Sequence, residues 1–277
     1  MCGKKAISLF SGAGGLDIGF EKAGFQIVLS NEFDHDAACT WRANRAENCN
    51  AMREGDIAEI LPELAQYHGM VDVLFGGPPC QGFSVAGKMD PNDSRSELIF
   101  TFLRAVEIVK PKFFVMENVK ALGTLEKWTS IRNKYLEQAK AMGYSVKYAV
   151  FRTSDYGVPQ KRDRVIFVGA KCEDPNKFFK AMKKMVSPAP TAREVLLSVG
   201  EFDTSKNPDT CAATITLAKS PIMRKSPYAG MLVNGAGRPL DLNGLPPTLP
   251  AAMGGNKTPI VDQYSLENAQ ATNWFEQ

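Results

Sequence analysis

Ala6–Ala23 reads AISLFSGAGGLDIGFEKA, and its hydrophobic rhythm changes twice. Ala6 to Phe10 is a short apolar run that predicts a buried strand, Ser11 to Gly15 is a glycine-rich turn, and Leu16 to Ala23 has the spacing of an amphipathic helix. A strand that enters a helix through a tight glycine loop is the first unit of an open α/β sheet. The alternation continues from there. Phe25 to Ser30 reads as a second strand ending at Asn31 and Glu32, a helix spans Asp34 to Ala46, and a short third strand precedes Asp56. Val71 to Phe75 is the fourth strand, Ser94 to Val109 a helix, and Lys112 to Met116 the fifth strand, ending at Glu117 and Asn118. A helix from Leu125 to Met142 leads to two more strands, Ser145 to Phe151 and Arg164 to Ala170, joined by Ser154 to Asp163. Strands alternating with helices predict right-handed crossovers and a mostly parallel sheet covered on both faces.

Beyond Lys171 the character changes. Glycine, proline and threonine punctuate Ser187 to Asp262, and helical periodicity largely disappears. This divides the chain into a regular α/β domain over residues 1–171 and a smaller, irregular lobe over residues 172–277. Of 277 residues, 44% are hydrophobic and 23% charged, which is ordinary globular material with enough length for one sizeable core. No apolar stretch approaches a membrane span. The net charge of +3 permits a polyanionic partner without demanding one. Six cysteines occur at irregular spacings with no Cys-x-x-Cys pair, so neither zinc nor a disulfide framework is indicated. The two histidines, His35 and His68, lie outside any pattern of metal ligands. Free thiols in a chain that opens without a signal peptide fit a reducing cytoplasm.

One cysteine stands apart. Cys80 follows the fourth strand directly, inside Gly76, Gly77, Pro78, Pro79, Cys80, Gln81. Free cysteine is usually a small core hydrophobe, and Cys2, Cys39, Cys49, Cys172 and Cys211 keep that reading. Two prolines ahead of Cys80 deny it a helix and hold it on a stiff turn, at the strand end where an open sheet does its chemistry. A thiol so presented reads as a nucleophile.

The glycine loop at Gly12, Gly14 and Gly15 allows close backbone approach to an adenosine-containing ligand. The dinucleotide fingerprint is broken, because its third glycine would fall at Asp17. Glu32, about 20 residues beyond the loop at the end of the second strand, is placed to accept ribose hydroxyls. Asp56 and Ile57 supply a polar contact and an apolar wall for the base. Each is weak alone, since acidic residues at strand ends are often only caps. Together they outline a nucleoside pocket beside Cys80.

In order along the chain, Phe10 to Gly15, Pro78 to Gln81, Glu117 to Val119 and Gln160 to Arg164 (Gln160, Lys161, Arg162, Asp163, Arg164) resemble the motifs of the DNA (cytosine-5)-methyltransferases, bacterial or phage type. The resemblance covers residues 5–170 closely. It implies the Rossmann-like fold of the S-adenosylmethionine-dependent methyltransferases, with the irregular lobe as target-recognition region. It further implies S-adenosylmethionine as methyl donor and S-adenosylhomocysteine as product. Phe10, Gly12, Gly14, Gly15, Glu32, Asp56, Ile57, Pro79 and Leu98 would surround that cofactor. Double-stranded DNA is the implied partner, and restriction-modification the implied setting.

The chemistry of such a reaction also follows from the residue types. Carbon 5 of cytosine is a poor nucleophile, and a thiolate adding at carbon 6 makes the ring enamine-like and able to attack a sulfonium methyl group. Cys80 fits that role. Glu117, at the tip of the adjacent strand, is the candidate acid near ring nitrogen 3. Arg162 and Arg164 are fixed cations suited to the base carbonyl, a phosphate or the thiolate. Asn118 holds the turn. A stacked cytosine must be flipped out to expose its ring faces, and Gln81 to Arg95 has the composition of a loop that closes over DNA. Lys177 to Lys184 and Lys219 to Lys225 are candidates for phosphate contacts, which position without specifying.

In the irregular lobe, Gly235 to Asp262 resembles the end of a target-recognition region. Only three residues follow Trp274, whereas the family continues with an arginine-bearing segment and an asparagine-bearing motif beside the cofactor. The expectation is either a truncated chain or the larger subunit of a split enzyme whose partner, a second polypeptide, supplies the remainder, in both cases with exposed apolar surface and weak or absent activity from this chain alone. Two other readings stand beside the DNA enzyme: an RNA (tRNA) cytosine-5 methyltransferase, and a non-catalytic regulatory relative. The glycine-rich recognition lobe favours DNA, and intact Cys80, Glu117 and Arg164 favour catalysis.

Overall fold

The computed structural model of the protein describes residues 3–79, 97–200, 204–205, 238–248, 259–260 and 263–268. The first strand, β1 (Lys4–Leu9), alternates its side chains between two layers: Ala6 joins Ile27, Trp41, Val73 and Phe75 on one face, while Ile7 and Leu9 join Leu29, Leu74, Phe102 and Phe114 on the other. Burial on both faces explains why the run reads as continuously apolar. It is followed by α1 (Gly15–Lys22), β2 (Phe25–Glu32), α2 (His35–Ala43), β3 (Met52–Glu54), α3 (Ile57–Ile60), β4 (Val73–Gly76), α4 (Leu98–Val109), β5 (Phe113–Val119), α5 (Lys120–Thr124), α6 (Thr129–Ala141), β6 (Ser145–Arg152), β7 (Asp163–Ala170) and α7 (Asn176–Lys184).

The strands hydrogen-bond in the order β3-β2-β1-β4-β5-β7-β6. Every pairing from β3 to β5 is parallel, and β7 runs antiparallel to β5. This is the mixed, mostly parallel α/β sheet that the alternation predicts. The antiparallel strand follows from its connection: between β6 and β7 lies only a ten-residue excursion, 153–162, without a crossover helix. Helix α4 buries Ile99, Phe102, Leu103 and Val106 against one face, and α2 buries Ala38 and Trp41 against the other.

Two helices differ from their sequence reading. The expected helix from Leu125 is interrupted: Leu125 is extended, a 3-10 turn spans Glu126–Trp128, and α6 begins only at Thr129. Trp128 is fully buried in the larger core cluster, and the interruption delivers it there. Helix α2 ends at Ala43, short of Ala46, because Arg45 turns inward to pair with Glu21 and to donate to the carbonyl of Gly14.

The chain divides into two compact units, Met1–Phe151 with Asp163–Lys184, and Arg152–Arg162 with Met185–Gln277. In the second, the Arg152–Arg162 excursion is tied to later residues by backbone hydrogen bonds, Gly157 to Ser187 (3.0 Å) and Lys161 to Pro246 (2.8 Å), and Thr248 Oγ1 donates to the Lys161 carbonyl (2.8 Å). This unit also holds α8 (Ala192–Val199), opened by a Thr191/Glu194 capping box, a two-stranded pair of β8 (Arg238–Pro239) and β9 (Pro259–Ile260), and α9 (Gln263–Asn268). Among the described residues no helix is long and apolar enough to cross a membrane.

Candidate active site

Strand β1 is followed in sequence by its neighbour on one side, β2, and later by its neighbour on the other, β4. The strand order reverses between β1 and β4, and in open α/β sheets the crevice outside the carboxyl ends at such a reversal is where ligands bind. The loop leaving β1 and the turn leaving β4 therefore decide what the site can do.

Leaving β1, Phe10 adopts a left-handed backbone with φ of 53°, which is unusual for a residue with a side chain. Gly14, with φ of 89°, caps α1, and a Cβ there would lie 2.5 Å from Arg45 Nη1 and 2.8 Å from the Trp41 ring. Only glycine fits both the dihedral and the space. Gly12 donates its N–H to Glu32 Oε2 at 2.7 Å. The other oxygen of Glu32 accepts from Phe33 N at 3.0 Å and Asp34 N at 2.9 Å. One carboxylate thus clamps the glycine loop to the turn between β2 and α2. Gly15 begins α1 and has open space around it.

Asp17 stands where a dinucleotide site would need glycine. It is fully buried and accepts hydrogen bonds from Trp41 Nε1 (2.8 Å), Ser8 Oγ (2.9 Å) and Ser30 Oγ (3.3 Å), joining α1 to β1, β2 and α2. Burial pushes its pKa up, opposed by those hydrogen bonds and by the charge of Arg45. Buried Asn31 donates to the carbonyls of Arg53 and Gly55, both at 3.0 Å, and so fixes the turn that carries Asp56. Asp56 caps α3 by accepting from Ala58 N at 2.8 Å. Ile57 is buried in the larger core cluster, and Leu98 packs against that cluster from the first turn of α4.

At the other loop, β4 ends at Gly76, where a Cβ would lie 2.2 Å from the Leu9 carbonyl oxygen. Pro78 is buried, and its carbonyl accepts from Asn118 Nδ2 at 3.2 Å; Pro79 is exposed. The buried Asn118 amide thus pins the turn, as expected of a positioning residue. Cys80, which follows directly, lies outside the described residues, as does Gln81 to Arg95. Glu117, one residue before Asn118, pairs with Arg164 across the antiparallel β5–β7 ladder, Nε to Oε1 at 2.6 Å, with both side chains about three-quarters buried. A Cβ on Gly77 would lie 3.0 Å from the second carboxylate oxygen of Glu117. The structure therefore brings Glu117, Arg164 and the Pro78–Pro79 turn together within the first unit. Arg162 belongs to the second unit, where its carbonyl accepts from Thr153 N at 2.9 Å.

The structural roles of Asp17, Asn31 and Gly77 were not legible from sequence. The available signal was a set of polar residues inside otherwise apolar elements, and a glycine pair ahead of Pro78. Among the described residues no group of three or more His, Cys, Asp or Glu side chains is placed to hold a metal ion.

The family model for C-5 cytosine-specific DNA methylases matches residues 4–228. The chain belongs to the C-5 cytosine-specific DNA methylase family. Its relatives include the type II methyltransferase M.AquIA of Picosynechococcus, 37% identical over 231 residues that cover 79% of this chain and 91% of that protein. The type II methyltransferase M1.HphI of Haemophilus parahaemolyticus is 43% identical over 171 residues, 60% of this chain. The match covers 45% of M1.HphI, so the methylase chain spans about half the length of several relatives it matches. Among solved structures, a protein described as a DNA modification methyltransferase encoded within an E. coli prophage superposes with a TM-score of 0.62 at 25% identity, covering 89% of this chain and 82% of that one. A Spodoptera frugiperda DNMT2 variant, at 21% identity and a TM-score of 0.55 over 73% of this chain and 61% of its own, shares the methylase fold. Family and fold imply S-adenosylmethionine use.

Proposed function

We propose that this chain carries the catalytic domain of a DNA (cytosine-5)-methyltransferase that transfers a methyl group from S-adenosylmethionine to carbon 5 of a flipped-out cytosine in double-stranded DNA. The observation that carries the reading is the Glu117–Arg164 pair at 2.6 Å beside the turn that leads into Cys80. Cys80 adds as thiolate to carbon 6. Glu117 faces ring nitrogen 3 as the acid-base group for charge developing on the base, while Arg164 fixes its rotamer from the neighbouring strand. Asn118 keeps the thiol-bearing turn rigid through Pro78. Arg162 is assigned a DNA phosphate or the base carbonyl.

The residues around β1 and β2 suit an adenosine group. Glu32 uses three of its roughly four acceptor positions on backbone N–H groups, which leaves one for a ribose hydroxyl. Phe10, Gly12, Gly14, Gly15, Asp56, Ile57, Pro79 and Leu98 are assigned to the same cofactor, with Asp56 reaching it by the oxygen that does not cap α3. When bound, S-adenosylmethionine supplies an electrophilic methyl group.

The second unit is assigned target recognition. The setting is restriction-modification in the cytoplasm, where bacterial DNA is found.

The test is transfer of labelled methyl groups to unmethylated genomic DNA, with total RNA and Cys80→Ser in parallel, each with and without a C-terminal complement. Label on DNA that vanishes in the variant supports the proposal. Label on RNA alone favours the tRNA-type reading, and no label even with the complement favours a non-catalytic relative.

A further inference from the structure

Away from Cys80 in sequence, three side chains stand in series, His35 and Cys39 on α2 and Glu54 at the end of β3. His35 Nδ1 lies 2.7 Å from Glu54 Oε1, and His35 Nε2 lies 3.5 Å from Cys39 Sγ, one helical turn on. Arg42 Nη1 holds the other oxygen of Glu54 at 2.7 Å. A carboxylate can only accept, so Nδ1 carries a hydrogen, and in the neutral ring Nε2 is left as the acceptor facing the thiol. Nucleophile, base and orienting carboxylate are the three parts of an activated side chain. All three lie at the surface; Cys39 is exposed and the His35 side chain is 72% exposed, so a small molecule can reach the sulfur.

We propose that Cys39 is a base-activated thiol and a modification site for low-molecular-weight disulfides. The S–H proton of Cys39 passes to His35 Nε2, and the thiolate attacks one sulfur of the small disulfide. A new S–S bond forms to Cys39 as the old one breaks. The departing thiolate takes that bond's electron pair and is then protonated by the imidazolium, so the small disulfide is the only oxidant consumed. Glu54 holds the imidazolium in place and raises the pKa of His35, with a smaller push from Asp36 and an opposing one from Arg42. Cys172 is likewise exposed, belongs to no such series among the described residues, and serves as the internal reference.

The experiment treats the full chain with glutathione disulfide at neutral pH and follows mixed-disulfide formation at each cysteine by peptide mapping and mass spectrometry. Cys39 is expected to react roughly tenfold faster than Cys172. His35→Gln, an exposed change that leaves the fold intact by circular dichroism, is expected to bring Cys39 down to the Cys172 rate, with Glu54→Gln intermediate. A Cys39 rate no greater than that of Cys172, or one that His35→Gln leaves unchanged, overturns the proposal.

Discussion

Arg164 Nε meets Glu117 Oε1 at 2.6 Å on a diagonal of the β5–β7 ladder, where the register partners of the two are Val119 and Ile166. A diagonal pair on one sheet face lies within reach of long side chains only, so the arginine stem is as necessary as its charge. Arg164→Ala should lower methyl transfer roughly 10²-fold, the scale of losing one preorganised electrostatic partner. Arg164→Lys should recover only part of it, because a point charge does not reproduce the guanidinium fork. Initial rates on DNA, with melting curves to establish folding, check both.

Adjacent glycines should fail differently. Gly76→Ala sets a methyl group against the Leu9 carbonyl oxygen, a backbone atom that cannot move away, and should destabilise the protein by about 2–4 kcal/mol. Gly77→Ala crowds the carboxylate tip of Glu117 at 3.0 Å and touches its backbone carbonyl only at 4.0 Å, so stability should change by less than about 1 kcal/mol as the side chain yields, while methyl transfer falls. Denaturant midpoints and turnover, measured on both variants, separate the two effects.

Asp17 gives stability a pH dependence of definite sign. Its folded pKa is raised above the ordinary 3.8, so the folded state binds its proton more tightly than the unfolded chain does. The contribution is fully present below the unfolded value and is lost as pH rises through the folded one. Asp17→Asn should remove that decline. Asp17→Ala, which leaves Trp41 Nε1 without its acceptor, should cost about 1–3 kcal/mol. Urea denaturation across the carboxylate range and at neutral pH is the measurement.

Glu32→Gln turns one acceptor oxygen into a donor facing backbone N–H groups that also donate. The loop and turn lose their shared clamp. Binding of S-adenosylmethionine should weaken roughly 10- to 100-fold, equivalent to the cost of one or two buried polar mismatches. Isothermal titration calorimetry reads the change directly.

Much of this was legible in the sequence because the central strands β1 and β4 are buried on both faces, and continuous apolar runs such as Ala6 to Phe10 and Val71 to Phe75 are hard to mistake. Glu32 reads from the sequence as a ribose acceptor, and its bond to Gly12, which ties it to the glycine loop, is a contact that spacing alone does not announce. What escaped was cross-chain pairing. Nothing local to Asp17 announces that Ser8, Ser30 and Trp41 converge on it, and nothing in Gln160 to Arg164 shows that Arg162 and Arg164 fall into different compact units. The helix expected from Leu125 broke because burial of Trp128 outweighed helical propensity.

Leu9 and Gly76 are register partners, so the glycine loop and the proline turn leave the sheet from the same rung. A rung does not stretch: backbone hydrogen bonds hold neighbouring strands about 4.8 Å apart. The two loops are therefore set to a gauge cut into the main chain. Side chains on either one can be reworked over generations, and the rest of the polypeptide lengthened or divided, without re-cutting the distance across which they face each other.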